Sequence, residues 1–229
     1  MVQLLQWLYK LYVSENTMPG PSKVNFQKLY GIADQYDGYF TAKHALSAGY
    51  SNRMQIYHVQ NGDWIRESRG IFRLRHFPPS LNCDLLVWYL WSSDRAGSPQ
   101  GVISHDTALQ VHNLGSWRDS KVHLTVPKHF RRSVMPPQLY LHCDNVDPGD
   151  VIVKHSFKIT KPLKTIVDLL IAGYVSDDYL VEALEEAIDS RQVLQLEVQD
   201  AELAPSQREL LSRIWSKTKY AGSKKVRHS

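Results

Sequence analysis

Two rhythms of apolar and polar positions run through this chain. Phe26, Leu29, Tyr30, Ile32 and Ala33 recur at helical spacing and predict a helix from about Asn25 to Gln35, ended by Asp37-Gly38 in a left-handed turn. Thr41 then reads as the N-cap of a helix of about two turns that Gly49 closes. Ser51 caps a third helix, Asn52 to about Gln60, with Ile56 and Val59 turned to the core and Gln55, Tyr57 and His58 pointing elsewhere. The rhythm changes at Trp64-Ile-Arg-Glu and Ile71-Phe-Arg-Leu, two strand-like runs joined by Ser68-Arg69-Gly70 as a short hairpin. Three helices followed by a hairpin predict a winged helix-turn-helix.

Beyond Phe77-Pro-Pro-Ser the pattern is mixed. Asp84 to Trp91 reads as a buried helix, Ser104 as the cap of a helix over Asp106 to His112, and Val122 to Val126, Gln138 to His142 and Val151 to Ile159 as strands. Pro162 suits the first turn of a helix with a broad apolar face, and further helices are predicted at roughly Asp177 to Ser190 and Pro205 to Thr218. The expected fold class is α+β, an N-terminal winged helix-turn-helix followed by a mixed α/β domain. The breaker cluster from Met18 and the prolines near Ser80 divide the chain into an extension over 1–21, a DNA-binding domain over 22–79, an α/β domain over 80–220 and a disordered basic tail over 221–229. The extension reads as a short amphipathic helix or a vector-like addition, too short to span a bilayer and without the features of a signal peptide.

Charge adds more through its distribution than through its total of +4. Ser22 to Ser80 carries eight Lys or Arg against four Asp or Glu, Ser176 to Leu203 nine acidic residues against one basic, and Ala204 to Ser229 seven basic against one acidic. The two cysteines, Cys83 and Cys143, have no metal-ligand spacing and suggest no disulfide framework, which fits a reducing cytoplasm.

A helix-turn-helix places the start of its second motif helix in the major groove. Ser51, Asn52, Arg53, Gln55, Tyr57 and His58 are therefore the candidate DNA-facing residues, since Arg pairs with guanine and Asn or Gln with adenine. Lys43, Arg66, Arg69 and Arg73 are candidates for neutralising phosphates, with Arg69 at the hairpin tip. A solvated helix carries similar residues, and such a unit also serves in protein interaction; order, spacing and charge together favour double-stranded DNA.

Ser104-His105-Asp106 has the letters of a hydrolase triad, but three consecutive side chains cannot line up as nucleophile, base and orienter. A helix cap is the expected role. His105 and His112 fall on one helix face without a third ligand, and His142-Cys143 point to opposite sides of a strand, so no metal centre is predicted. Thr165 and Asp168 read as structural, no glycine-rich phosphate loop is present, and neither a cofactor nor catalysis is expected.

The run Gly38-Tyr-Phe-Thr-Ala-Lys-His-Ala-Leu-Ser-Ala-Gly-Tyr-Ser, continued by Gly62-Asp-Trp-Ile-Arg-Glu-Ser-Arg-Gly-Ile-Phe-Arg-Leu, resembles the N-terminal winged helix of the AbiEi-type antitoxins of type IV toxin-antitoxin systems. Three islands continue the likeness in the same order: Val102-Ile-Ser-His-Asp-Thr-Ala-Leu, Val122-His-Leu-Thr-Val-Pro and Lys161-Pro-Leu-Lys-Thr-Ile-Val-Asp-Leu-Leu. The resemblance implies a repressor of its own operon that binds inverted repeats, while its second domain counteracts a nucleotidyltransferase-like toxin, AbiEii. The extension and the basic tail have no counterpart in it. Asp178, Glu182, Glu185 and Glu186, on an acidic helix with Asp177 and Asp189, offer a face for a basic partner; a solvated face, or one paired with the chain's own basic C-terminus, is the alternative. A transcriptional regulator whose second domain senses another ligand or partner is the alternative to the antitoxin.

Overall fold

The computed structural model describes residues 23–77, 82–116 and 119–221, and its chain divides into two compact units, Met1–Pro99 and Gln100–Ser229. The extension over 1–21 and residues 222–229 of the basic tail lie outside the described residues. The fold is mixed α and β, with a separate sheet in each unit.

In the first unit the order is α1 (Lys23–Asp34), β1 (Tyr39–Thr41), α2 (Ala42–Ser47), α3 (Asn52–Gln60), β2 (Trp64–Ser68), β3 (Ile71–Leu74) and α4 (Cys83–Trp91). Strand β1 was not predicted: its three residues are all buried, and a strand this short leaves no period to read. It pairs antiparallel with β3, which also pairs with β2, in the order β1-β3-β2. Thr41 and Ser51 cap α2 and α3 by accepting the backbone N–H of His44 and Met54. Gly70 turns the β2–β3 hairpin at φ +74°, in the left-handed region that glycine enters freely. Leu29, Phe40, Tyr50, Trp64, Phe72 and Leu74 form the core, Phe40 and Trp64 edge to face at 4.8 Å between centroids.

The sequence places the domain boundary near Ser80, whereas the division falls after Pro99. Helix α4 lies against β1 and β3, buries Leu86, Tyr89 and Leu90, and brings Tyr89 to 6.4 Å from the Tyr36 ring. The segment after it is also held to this unit. His44 Nε2 lies 3.0 Å from the Gly97 carbonyl, and Lys43 Nζ donates to the carbonyl of Asp94.

The second unit runs β4 (Val102–Ile103), α5 (His105–His112), β5 (Val122–Val126), β6 (Leu139–Cys143), β7 (Val151–Lys154), β8 (Phe157–Thr160), α6 (Pro162–Ala172), α7 (Asp177–Asp189), α8 (Gln195–Asp200) and α9 (Pro205–Trp215). Its mixed sheet has the order β6-β5-β4-β8-β7, with β5–β6 and β4–β8 parallel and the other pairs antiparallel. The single strand expected over Val151 to Ile159 is a hairpin. His155 and Ser156 both take positive φ, at 49° and 67°, without the Asn-Gly or Asp-Gly that normally announces such a turn. Helices α5, α6, α7 and α9 share a core that includes Leu109, Ile166, Leu169, Leu180, Leu184 and Ile214. Among the described residues, no helix is long and apolar enough to cross a membrane.

Candidate nucleic-acid interface and a buried histidine cluster

Helix α3 is rotated from the orientation its hydrophobic pattern predicts. Ile56 is 54% exposed and Tyr57 46%, whereas Gln55 and His58 are buried at 5% and 3%. The inward polar groups find partners, which offsets their desolvation. The Gln55 amide donates to the carbonyls of Ala42 and Tyr50, each at 3.2 Å, and His58 Nδ1 lies 2.9 Å from the Asp63 carboxylate with its ring stacked on Trp64. The expectation that Ile56 packs inward while Gln55 and His58 face DNA is therefore corrected. Both polar side chains belong to the core.

Ser51, Asn52, Arg53, Ile56, Tyr57 and Gln60 make the exposed face of α3. Ser51 already uses its hydroxyl as the helix cap. In the hairpin, Arg66 and Arg69 are exposed, with the Arg66 guanidinium 5.6 Å from the centre of the Phe72 ring. Arg73 is less available: its Nε donates to Glu67 at 2.8 Å and its guanidinium lies over Tyr39. Lys43 is exposed but tethered to the Asp94 carbonyl.

The acidic helix α7 turns much of its charge onto the chain itself. Asp177 accepts from Arg213 and Lys217, and Asp189 pairs with Lys219. Glu185 accepts the backbone N–H of Lys219, and Glu186 accepts that of Gly115 at 2.6 Å. The partner-facing reading of Glu185 and Glu186 is corrected accordingly, because both carboxylates complete internal contacts. Asp178 and Glu182 remain exposed.

Residues distant in sequence meet within the second unit. Strands β5 and β6 run side by side with His123 opposite Tyr140 and Thr125 opposite His142, so the two-residue period puts these four side chains on one face. The start of α5 adds Ser104, His105 and Asp106. Ser104 holds the N-cap position of α5, as expected, but makes no side-chain capping bond; its hydroxyl accepts from Thr125 at 2.8 Å and lies 3.0 Å from His105 Nδ1. His105 has φ +50°, a left-handed conformation that costs a non-glycine residue about 1–2 kcal/mol, and its ring stacks on His142 at 3.4 Å between centroids. His112 is not part of this group; its Nε2 reaches the Thr160 carbonyl at 2.9 Å.

His123 is the centre of the cluster. Its Nε2 lies 3.1 Å from Asp119 Oδ2 and its Nδ1 3.0 Å from His142 Nε2. Asp106, only 1% exposed, accepts the Tyr174 hydroxyl on Oδ2, which is 3.7 Å from His123 Nδ1, while its buried Oδ1 has no hydrogen-bond partner. Burial, reinforced by the neighbouring imidazoles, pushes the His105 pKa down to about 2. Burial and then His123 bring His142 down to about 4, so both rings are neutral at pH 7. The backbone N–H of Lys121 holds Asp119 below the ordinary carboxylate range.

Sequence spacing concealed this group, because its members come from four separate segments. The available signal was alternation: His123-x-Thr125 and Tyr140-x-His142 put polar side chains on one face of two strands. Comparison of the chain with protein-family models and with curated proteins gives no match.

Proposed function

We propose that the first unit is a winged helix-turn-helix that binds double-stranded DNA, and that the protein is an operator-binding antitoxin of the AbiEi kind. The observation that carries this reading is the outward face of α3, where Asn52 and Arg53 stand exposed in the first turn and Tyr57 lies one turn on. A groove-reading helix needs its hydrogen-bonding side chains there. The order α1-β1-α2-α3-β2-β3 suits the same module, and exposed Arg66 and Arg69 on the hairpin suit phosphate or minor-groove contact. The reading thus rests on Asn52, Arg53 and Tyr57 for the bases and on Arg66 and Arg69 for the backbone, with Lys43 and Arg73 in supporting positions.

A mobility-shift assay on the DNA upstream of the protein's own reading frame tests this. Arg53→Ala is expected to weaken binding to the specific repeat about tenfold or more and to relax specificity, whereas Arg69→Ala weakens binding to all sequences and lowers the salt slope by about 1. Wild-type binding by both variants would sink the assignment. The antitoxin role rests on the three family-like islands of the second unit, and co-expression of the full chain with a neighbouring nucleotidyltransferase-like toxin should restore growth. The buried histidine cluster favours a second reading, a regulator whose second unit responds to a ligand. That reading gains if the folded chain binds DNA and restores no growth.

A further inference from the structure

The cluster around His123 contains two carboxylates, Asp106 and Asp119, that no Lys or Arg among the described residues pairs with. One of them is almost wholly buried and carries an oxygen with no hydrogen-bond partner. An unpaired buried carboxylate oxygen is costly, and the arrangements that remove the cost supply a proton, a donor or a cation. A cation has suitable ligands in this place. One donor atom each from Asp106, Asp119 and His123 lies within 4.8 Å of the others.

We infer that Asp106, Asp119 and His123 form a binding site for a divalent first-row transition-metal ion of the zinc or manganese type. Two carboxylate oxygens and one imidazole are a donor set those ions accept, whereas Mg2+ favours oxygen ligands and water in near-octahedral order. The geometry is close to what such an ion needs: with bonds of about 2.0–2.2 Å, donors around a tetrahedral zinc lie about 3.3 Å apart. His123 Nε2 and Asp119 Oδ2 are already 3.1 Å apart, whereas Asp106 Oδ2 stands 3.7 Å from the other ring nitrogen, Nδ1, so the Asp106 side chain has to swing toward the Nε2 edge, within a group whose donor atoms lie no more than 4.8 Å apart.

The surrounding residues are those expected to orient such ligands. His142 Nε2 stands 3.0 Å from His123 Nδ1, so an imidazole partner occupies the Nδ1 side of the ring and Nε2 is the nitrogen turned toward Asp119. Tyr174 holds the second oxygen of Asp106 in the same way. Asp119 has 30% of its side chain exposed, which gives an ion a route in from solvent. Three protein ligands leave a fourth position for water. The site is independent of the DNA-binding reading, since all its residues lie in the second unit.

Calorimetric titration of the chelator-stripped full chain with ZnCl2, MnCl2 and MgCl2, each alone, tests the inference. One equivalent of Zn2+ or Mn2+ is expected to bind, with Mg2+ at least tenfold weaker. Asp119→Asn, at the solvent-facing edge, and His123→Gln should each reduce affinity at least tenfold while circular dichroism shows a folded chain. His155→Gln, on the exposed β7–β8 turn, should bind as wild type does. The site is refuted by any of three results: neither ion binds stoichiometrically, Mg2+ binds as tightly as Zn2+ and Mn2+, or Asp119→Asn stays folded and binds the metal like wild type.

Discussion

Residue by residue, α3 separates two kinds of polar side chain that the sequence makes look alike. Arg53 and Gln55 are both hydrogen-bonding residues near the start of a capped helix, yet Arg53 is exposed and Gln55 is fixed to two backbone carbonyls. Their replacements should therefore fail in different assays. Gln55→Ala leaves two buried acceptors without their donor and is expected to lower unfolding free energy in urea by about 1–3 kcal/mol. Arg53→Ala should leave the urea midpoint within experimental error and act on DNA binding alone. Equal stability of the two variants would contradict the core role of Gln55. Residue type showed that α3 is polar; rotation about its axis decided which polar groups face inward.

For whole elements, caps and turns were easier to read than strands. Thr41 and Ser51 cap the helices expected of them, and Gly70 makes the expected hairpin turn, since each of these features depends on residues adjacent in the chain. The β7–β8 hairpin was missed because a turn built from His155-Ser156 has no compositional signature. Helix α5 is joined to the sheet by the His112 contact with Thr160, and burial is the main cause that lowers the His112 pKa, with Lys154 adding to it and the Thr160 contact opposing it. The folded state therefore holds this ring neutral, while the unfolded chain takes up a proton near the ordinary value of about 6.5. Below that pH the unfolded state binds more protons, so stability is present above it and is lost as pH falls from there toward the folded pKa. The melting temperature should drop between pH 7 and pH 5, and His112→Gln should show a smaller drop because it has no imidazole to protonate there. An identical drop in both proteins would assign the acid sensitivity elsewhere.

Across the molecule, the main correction is the place where the chain divides. Proline-rich sequence near Ser80 looks like a linker, but α4 beyond it covers β1 and β3 and buries Leu86, Tyr89 and Leu90. A fragment ending at Pro99 should therefore melt cooperatively, and one ending at Ser80 should melt lower by at least about 4–8 °C, the shift that about 1 kcal/mol produces in a domain of this size. Equal melting of the two fragments in a thermal circular-dichroism scan would restore the boundary at Ser80. The sequence by itself determined the mixed helical and strand composition, most helix positions, the capping bonds of Thr41 and Ser51 and the basic and acidic segments, because these follow from periodicity and from neighbours within a few residues. Tertiary structure alone decided which face of α3 is buried, that α4 belongs to the first unit, and that Asp106, Asp119, His123 and His142 meet. Those outcomes depend on hydrogen bonds and packing between segments far apart in the chain, where burial of a polar group is tolerable only once its distant partner is in place.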